Sequence, residues 1–448
     1  MKYQSQSVAL PYFIGALTIF AIQLVFGLVG ALMYVAPNLI PPDLLPFSVV
    51  RMIHTNALIV WLLLGFFGCT YYLLPEETER ELHSPLLAKI QFWVFFLAAV
   101  VAVVGYLFGN YDGRSYLEQP IYIKVGIVIV ALMFLYNCSI TALRGRRTVI
   151  TGILLLGLWG VAVFFLFAFY VPANVVIDKM FWWWVVHLWV EGVWELVMAS
   201  ILAFMLIKLT GVDREVVEKW LYVIIGTALF SGILGTGHHY YWIGLPAYWQ
   251  WIGTVFSAVE PIPFFAMVVF AFAMVWKGRR DHPNHAALLW SLGCAVTAFF
   301  GAGVLGFLHT LSAVNYYTHG TQVTAAHGHL AFYGAYAMVN LAMFTYAMPQ
   351  LLGRAPYNQR LNIVSFWTMT TGVCVMTAGL TLAGVVQTHL ERVIGQDFMD
   401  VQPQLALFYW IRLIGGVLTV LGLVFYLVAV LVPGRREVAA GAKLAPAE

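Results

Sequence analysis

A chain of 448 residues that is 62% hydrophobic and only 10% charged departs far from the roughly 45–50% apolar, 25% charged composition of soluble domains, which excludes a water-soluble globular protein. Its formal net charge of +3 is small and sits in loops between apolar stretches, so nothing in it points to nucleic acid. Four cysteines without C-x-x-C or C-x-x-C-H spacing exclude a disulfide framework, a structural zinc site and covalently attached c-type haem.

Twelve apolar stretches, each near the roughly 20 residues a bilayer core requires, follow one another. They lie at 11–35, 51–74, 86–109, 121–143, 148–170, 180–209, 215–243, 250–277, 284–312, 321–349, 361–388 and 403–432. The first follows Lys2, but its apolar run is too long for a signal peptide and no small-residue cleavage site follows it, so it is read as a spanning helix. No repeat or flexible linker divides the chain. The expectation is one integral membrane domain over 1–448, an all-α polytopic bundle of twelve helices over 11–432, with a short tail at 433–448. Of the 23 lysines and arginines, 17 fall on the side of the N-terminus, the even-numbered loops and the C-terminus, and 6 on the other. The positive-inside rule then places both termini in the cytoplasm. Cys69, Cys138, Cys294 and Cys374 lie inside apolar stretches and are read as small buried hydrophobes.

The histidines carry more information. His83, His282 and His285 fall in cytoplasmic loops and are read as solvated. His54 lies just inside the second stretch, His187 early in the sixth, His238 and His239 late in the seventh, and His327 and His329 early in the tenth. With the orientation above, all six share the outer third of the membrane. A lone membrane histidine as often hydrogen-bonds a neighbouring helix as it ligates a metal. Six from four helices at one depth point instead to a layer of metal centres held between helices.

Local spacing adds detail. In A-A-H-G-H-L-A-F-Y-G-A-Y, residues 325–336, His327 and His329 project about 200° apart on a helix, so one helix serves two centres side by side. In W-V-V-H-L-W-V-E-G-V-W-E, His187 and Glu191 share one face and Glu195 continues it one turn deeper. His238 and His239 are about 100° apart and ligate together only if one reaches sideways. Glu260, in V-E-P-I-P-F-F, is a further carboxylate in the outer half, its alternative being a helix-end residue facing the outside water.

The segments H-L-W-V-E-G-V-W-E, G-T-G-H-H-Y-Y-W and A-A-H-G-H-L-A-F-Y-G-A-Y resemble signature segments of the large catalytic subunit of bacterial cytochrome-c-dependent nitric oxide reductases, in the haem-copper oxidase superfamily. The resemblance covers essentially the whole chain, including the twelve-helix plan. It implies that His54 and His329 are the axial ligands of a low-spin haem b and His327 the proximal ligand of a high-spin haem b3. It implies that His187, His238 and His239, with Glu191, hold a non-haem iron facing haem b3. It also implies a calcium bridging the haem propionates with Glu118, in G-R-S-Y-L-E-Q-P, as a ligand, although Ser115 stands where the family pattern has glutamate. Arg51, one turn before His54, is placed to pair with a propionate.

The residue chemistry meets the resemblance at position 191. Oxygen-reducing relatives use copper with three histidines, and many place a redox tyrosine four residues after the first. A carboxylate added to three imidazoles suits iron better than copper. The implied reaction joins two NO into N2O and water on uptake of two electrons and two protons, helped by proximity and metal stabilisation. The inner half of the bundle offers Ser200, Thr70 and tyrosines but no carboxylate or lysine before the loops, whereas Glu195, Glu260 and Asp400 lie level with the histidines or outside them. Protons are therefore expected from the periplasm, with Glu195 and Glu260 as donors and no pumping.

Electrons are expected from a small membrane-anchored cytochrome c subunit fed by periplasmic donors. Quinol-dependent relatives carry a long N-terminal extension, and its absence favours the cytochrome-c-dependent form. The implied location is the lipid bilayer of a bacterial inner membrane, crossed many times. Two other readings have clear discriminators: copper in place of non-haem iron marks a cbb3-like terminal oxidase, and a colourless purified protein marks a transporter.

Overall fold

The structure, a computed structural model, describes residues 1–278, 282–354 and 358–432; the expected tail at 433–448 lies outside them. Among the described residues, twelve helices are long and apolar enough to cross a membrane: α1 Gln4–Val35, α2 Phe47–Thr78, α3 Pro85–Leu107, α4 Ile121–Arg144, α5 Val149–Phe169, α6 Val175–Thr210, α7 Arg214–Tyr240, α8 Tyr248–Trp276, α9 His285–Thr310, α10 Gln322–Leu351, α11 Gln359–Ile394 and α12 Phe398–Leu431. Among the described residues there is no strand.

Polar residues just outside the apolar runs set where several helices start. Ser84, Thr148, Asn174, Asn284, Thr321 and Asn358 each accept a hydrogen bond from a backbone N–H of the first turn, which satisfies donors that the helix itself leaves free. Helices therefore run past the apolar stretches that announce them. α1 begins at Gln4 and α6 at Val175, several residues before the apolar periodicity does.

Burial sorts the twelve into a centre and a shell. In α2, α6 and α10 the most apolar windows are 83%, 83% and 89% buried, against 33–50% in the other nine. A shell helix leaves its apolar side to lipid, so these three are the bundle's axis. Three of the four elements that bear the expected ligands are this axis, and α7 packs against it.

Regular helix fails at several places, among them a π turn at His389–Ile394 of α11, 3-10 turns in α1, α5 and α12, and four others. α6 holds a π turn at Trp189–Val193, α9 one at Phe299–Gly306 and α10 one at Tyr333–Ala337, while α7 ends in a tight 3-10 turn at Thr236–Tyr240. All four lie in or beside the histidine layer. π turns of this kind concentrate at functional sites.

At the opposite end, α2 continues beyond residue 74 and carries Glu76 and Glu77 into the interior, which corrects the expectation of no carboxylate before the loops. Arg214 grips Glu77 with two bonds of 2.7 and 2.8 Å, Thr148 adds a third of 2.8 Å, and Lys208 pairs with Glu76. His83 and His282 are half-buried against Tyr136 and Tyr346 rather than free in solvent. Cys69, Cys138 and Cys294 are buried as expected, whereas Cys374 is exposed.

Removing one partner of a buried ion pair strands the other charge, a loss of about 3–5 kcal/mol. Arg214→Ala is expected to lower the melting temperature of the detergent-solubilised protein markedly. Lys219→Ala, whose pair with Glu215 is exposed, is expected to leave it unchanged.

Candidate metal centres

His54 on α2 and His329 on α10 face one another with ring centroids 6.2 Å apart and planes within 27°. His54 Nδ1 lies 2.8 Å from the carbonyl of Gln23, and His329 Nδ1 lies 2.7 Å from the carbonyl of Ala325. A carbonyl only accepts, so each Nδ1 must be the protonated nitrogen and each Nε2 offers a lone pair. Two imidazoles bound end-on to one metal at about 2.0 Å hold their centroids about 6.3 Å apart. The pair thus has the separation and the tautomers of axial ligands to a single ion. Gly27 makes the room, since a Cβ there would come within 2.7 Å of the His54 ring. Arg412, its guanidinium 4.7 Å from the Tyr34 ring centroid, acts electrostatically on both imidazoles.

His327 leaves the same helix toward α9. Its Nδ1 lies 2.9 Å from the carbonyl of Gly301, which belongs to the π turn of α9, so here too Nε2 is the free nitrogen. The His309 ring lies 6.5 Å from that of His327, its two nitrogens each 3.0 Å from a hydroxyl, those of Thr318 and Thr324.

Four ligand atoms meet in front of this histidine's neighbourhood. His187, Glu191, His238 and His239 each offer one atom, and all lie within 4.8 Å of one another. His187 Nε2–H donates to the carbonyl of Gly232 at 2.8 Å, which leaves its Nδ1 without a hydrogen-bond partner, 3.3 Å from Glu191. His238 Nδ1 lies 2.7 Å from the hydroxyl of Ser257, which is itself spent on the carbonyl of Gly235, so His238 Nε2 faces Glu191 at 3.6 Å. Lone pairs aimed at a carboxylate repel it unless a cation lies between them. The orphaned Nδ1 and the donor set therefore fit a metal ion with three imidazoles and one carboxylate. The His239 ring stacks on Trp183 at 3.6 Å.

The local backbone differs from a regular helix here. Glu191 sits inside the π turn with φ −111° and ψ 28°, so Glu195 does not simply continue its face one turn on. His238 and His239 occupy the 3-10 turn, where successive residues stand about 120° apart, and both reach the cluster.

Glu195 and Glu260 are both buried, at 6% and 5% exposure, so Glu260 does not face outside water. One oxygen of Glu195 has no hydrogen-bond partner among the described residues. Glu118 lies apart from this cluster, in the 107–121 connection. It accepts from Asn56 at 2.9 Å, and burial pushes its carboxyl above the ordinary glutamate range while the Asn56 bond and the charge of Arg51 pull it back in part. Arg51 lies 5.8 Å from the Tyr116 ring centroid. Asp400, on the short helix Phe398–Val401, is exposed.

Three residues escaped the reading of the sequence. His309 shares the level of the other six and was signalled by its place late in the ninth stretch. Arg412 is a charge inside an apolar helix, which by itself marks a functional candidate. Tyr336 closes the 325–336 segment, and its hydroxyl reaches the carbonyl of Val190, a contact that spacing along one helix does not reveal.

The chain is similar to known proteins over nearly its whole length. A profile of the family described as Cytochrome C and Quinol oxidase polypeptide I matches residues 7–418. The chain is 56% identical to a nitric oxide reductase subunit of Stutzerimonas stutzeri, over 99% of this chain and 98% of the relative. It is 26% identical to a cbb3-type cytochrome c oxidase subunit of the same organism, over 84% of each. A heme-copper terminal oxidase dimer solved by cryo-EM shares the fold, with a TM-score of 0.74 at 15% identity over 97% of this chain and 85% of that one.

Partners that orient a ligating histidine are worth about 10–100-fold in metal affinity. Ser257→Ala is expected to weaken metal retention at the four-residue cluster by that factor, measured by chelator competition, and to leave His54 and His329 unaffected.

Proposed function

The chain belongs to the family of cytochrome c and quinol oxidase polypeptide I and, within it, to the nitric oxide reductases; from that premise we propose that it reduces two NO to N2O and water at a haem b3/non-haem iron centre, with two electrons from a cytochrome c subunit and two protons from the periplasm. The observation that carries this reading is the cluster of His187, His238 and His239 with Glu191. A set of three imidazoles alone is what a copper centre takes, and the carboxylate shifts the preference to iron.

His54 and His329 would hold the low-spin haem b and His327 the haem b3, each through Nε2. The cations Arg51 and Arg412 would meet carboxylates at the haem edges. When bound, the irons would supply the sites at which two NO are brought together and reduced. The chain does the rest. Trp194, Phe332 and Tyr336 pack edge to face beside the centre and keep water from it. Glu195 and Glu260 hold protons next to the reacting oxygens and deliver them.

The direction of proton entry rests on where carboxylates are free to act. Glu76 and Glu77 are locked into pairs with Lys208 and Arg214. Between them and the cluster, the Ser200 hydroxyl is spent on the Leu196 carbonyl of its own helix. The unpaired oxygen of Glu195 lies in the histidine layer. The bias of lysines and arginines supports cytoplasmic termini, and the likeness to nitric oxide reductases supports a bacterial inner-membrane location. Glu118 would hold the calcium, whose charge would offset the burial of its carboxylate.

Three outcomes test this. Glu195→Gln and Glu260→Gln are expected to lower the rate of N2O formation from NO and reduced cytochrome c by about 10²–10⁴-fold with unchanged haem spectra. Turnover in right-side-out vesicles is expected to consume protons from the outer medium without building a membrane potential; uptake from the interior contradicts the reading. Because calcium takes the ionised carboxylate, its affinity should fall as pH is lowered through the raised Glu118 value, at higher pH than an ordinary glutamate would dictate. Calcium binding measured across pH, if flat, removes Glu118 from the site.

A further inference from the structure

We propose that Tyr336 is a positioning residue for Glu191, acting through the carbonyl of Val190, so that the helix bearing His327 and His329 also sets the carboxylate ligand of the neighbouring iron. The inference rests on the iron reading of the four-residue cluster. A π turn takes the backbone out of its regular i to i−4 bonding, and within a bilayer any carbonyl so released must find another donor. In α6 the Tyr336 hydroxyl donates to the carbonyl of Val190, inside the π turn and immediately before Glu191.

The turn is held from its other side as well. The Glu191 carbonyl packs onto Gly232 of α7 where no Cβ would fit, and the Gly232 carbonyl in turn orients His187. Tyr336 is itself immobilised. It is 4% exposed, and its ring meets Trp194 at 5.3 Å, Phe332 at 5.8 Å and Phe66 at 6.2 Å. A metal–oxygen bond of about 2.0–2.2 Å tolerates little displacement of its ligand. Without the hydroxyl, the Val190 carbonyl loses its anchor and the turn relaxes toward regular helix, carrying the Glu191 carboxylate away from His187 and His238.

The phenol also lies within electrostatic reach of Glu191, Glu195 and Glu260, so the test must separate positioning from proton donation. Tyr336→Phe keeps the ring and removes only the hydroxyl. Iron per two b haems is counted after dialysis against a ferrous chelator in the wild type, Y336F, E191Q and the double variant, with haem spectra recorded on the same samples. Y336F is expected to give up its non-haem iron at about 10–100-fold lower chelator concentration with an unchanged haem spectrum, and the double variant to retain iron no worse than E191Q, because both act through one ligand.

Iron retention in Y336F equal to wild type overturns the proposal, as does a double variant in which the two losses multiply. Loss of haem together with iron would make Tyr336 a packing residue and also overturns it. A wild type without non-haem iron overturns the underlying reading and this inference with it, whereas iron in the wild type and an unaffected variant overturns the inference alone.

Discussion

Inside a bilayer no water is at hand to satisfy a backbone group, so a carbonyl released from helical bonding must find a donor in the protein. This chain fixes its histidines with backbone carbonyls, one in a π turn and three in regular helix. The carbonyls of Gln23, Ala325, Gly301 and Gly232 take an imidazole N–H from His54, His329, His327 and His187, and the Ser257 hydroxyl serves His238. In each case the bond settles which nitrogen keeps its lone pair and where that lone pair points. One of these carbonyls belongs to a π turn and another faces one across a glycine. At these two, irregular backbone and oriented ligand go together.

The three central helices then divide the work. α2 and α10 bring His54 and His329 to the separation one ion requires, α10 sends His327 to its other side, and α6 brings His187 and Glu191 against the 3-10 turn that ends α7. A surrounding shell whose apolar sides are left to lipid allows these three to be almost wholly buried. That burial makes three carboxylates in one layer costly, and a cation among the imidazoles would make Glu191 tolerable there. The opposite end of the bundle solves a similar problem differently, by pairing Glu77 bidentately with Arg214.

Much of this was legible in the residues. Twelve apolar stretches correspond to twelve helices, and the shared level of six histidines was visible from their positions once the crossings were counted. Ends were displaced where a capping residue such as Asn174 lies beyond the apolar run. The π turn at Trp189–Val193 was not legible, because hydrophobic periodicity in a wholly buried helix does not register one extra residue. Nor was the role of Tyr336, whose partner is 146 positions away in the chain. Glu76 and Glu77 lie beyond the apolar run that ends at 74, and only their pairing with α6 and α7 explains why they are inside.

The most direct test is to count iron, copper and b haem on one sample of the purified protein. Three irons for two b haems, without copper, are expected. Two irons with one copper would contradict the iron reading, because the cluster at Glu191 would then be an oxygen-reducing copper centre and its carboxylate would have to be withdrawn as a ligand.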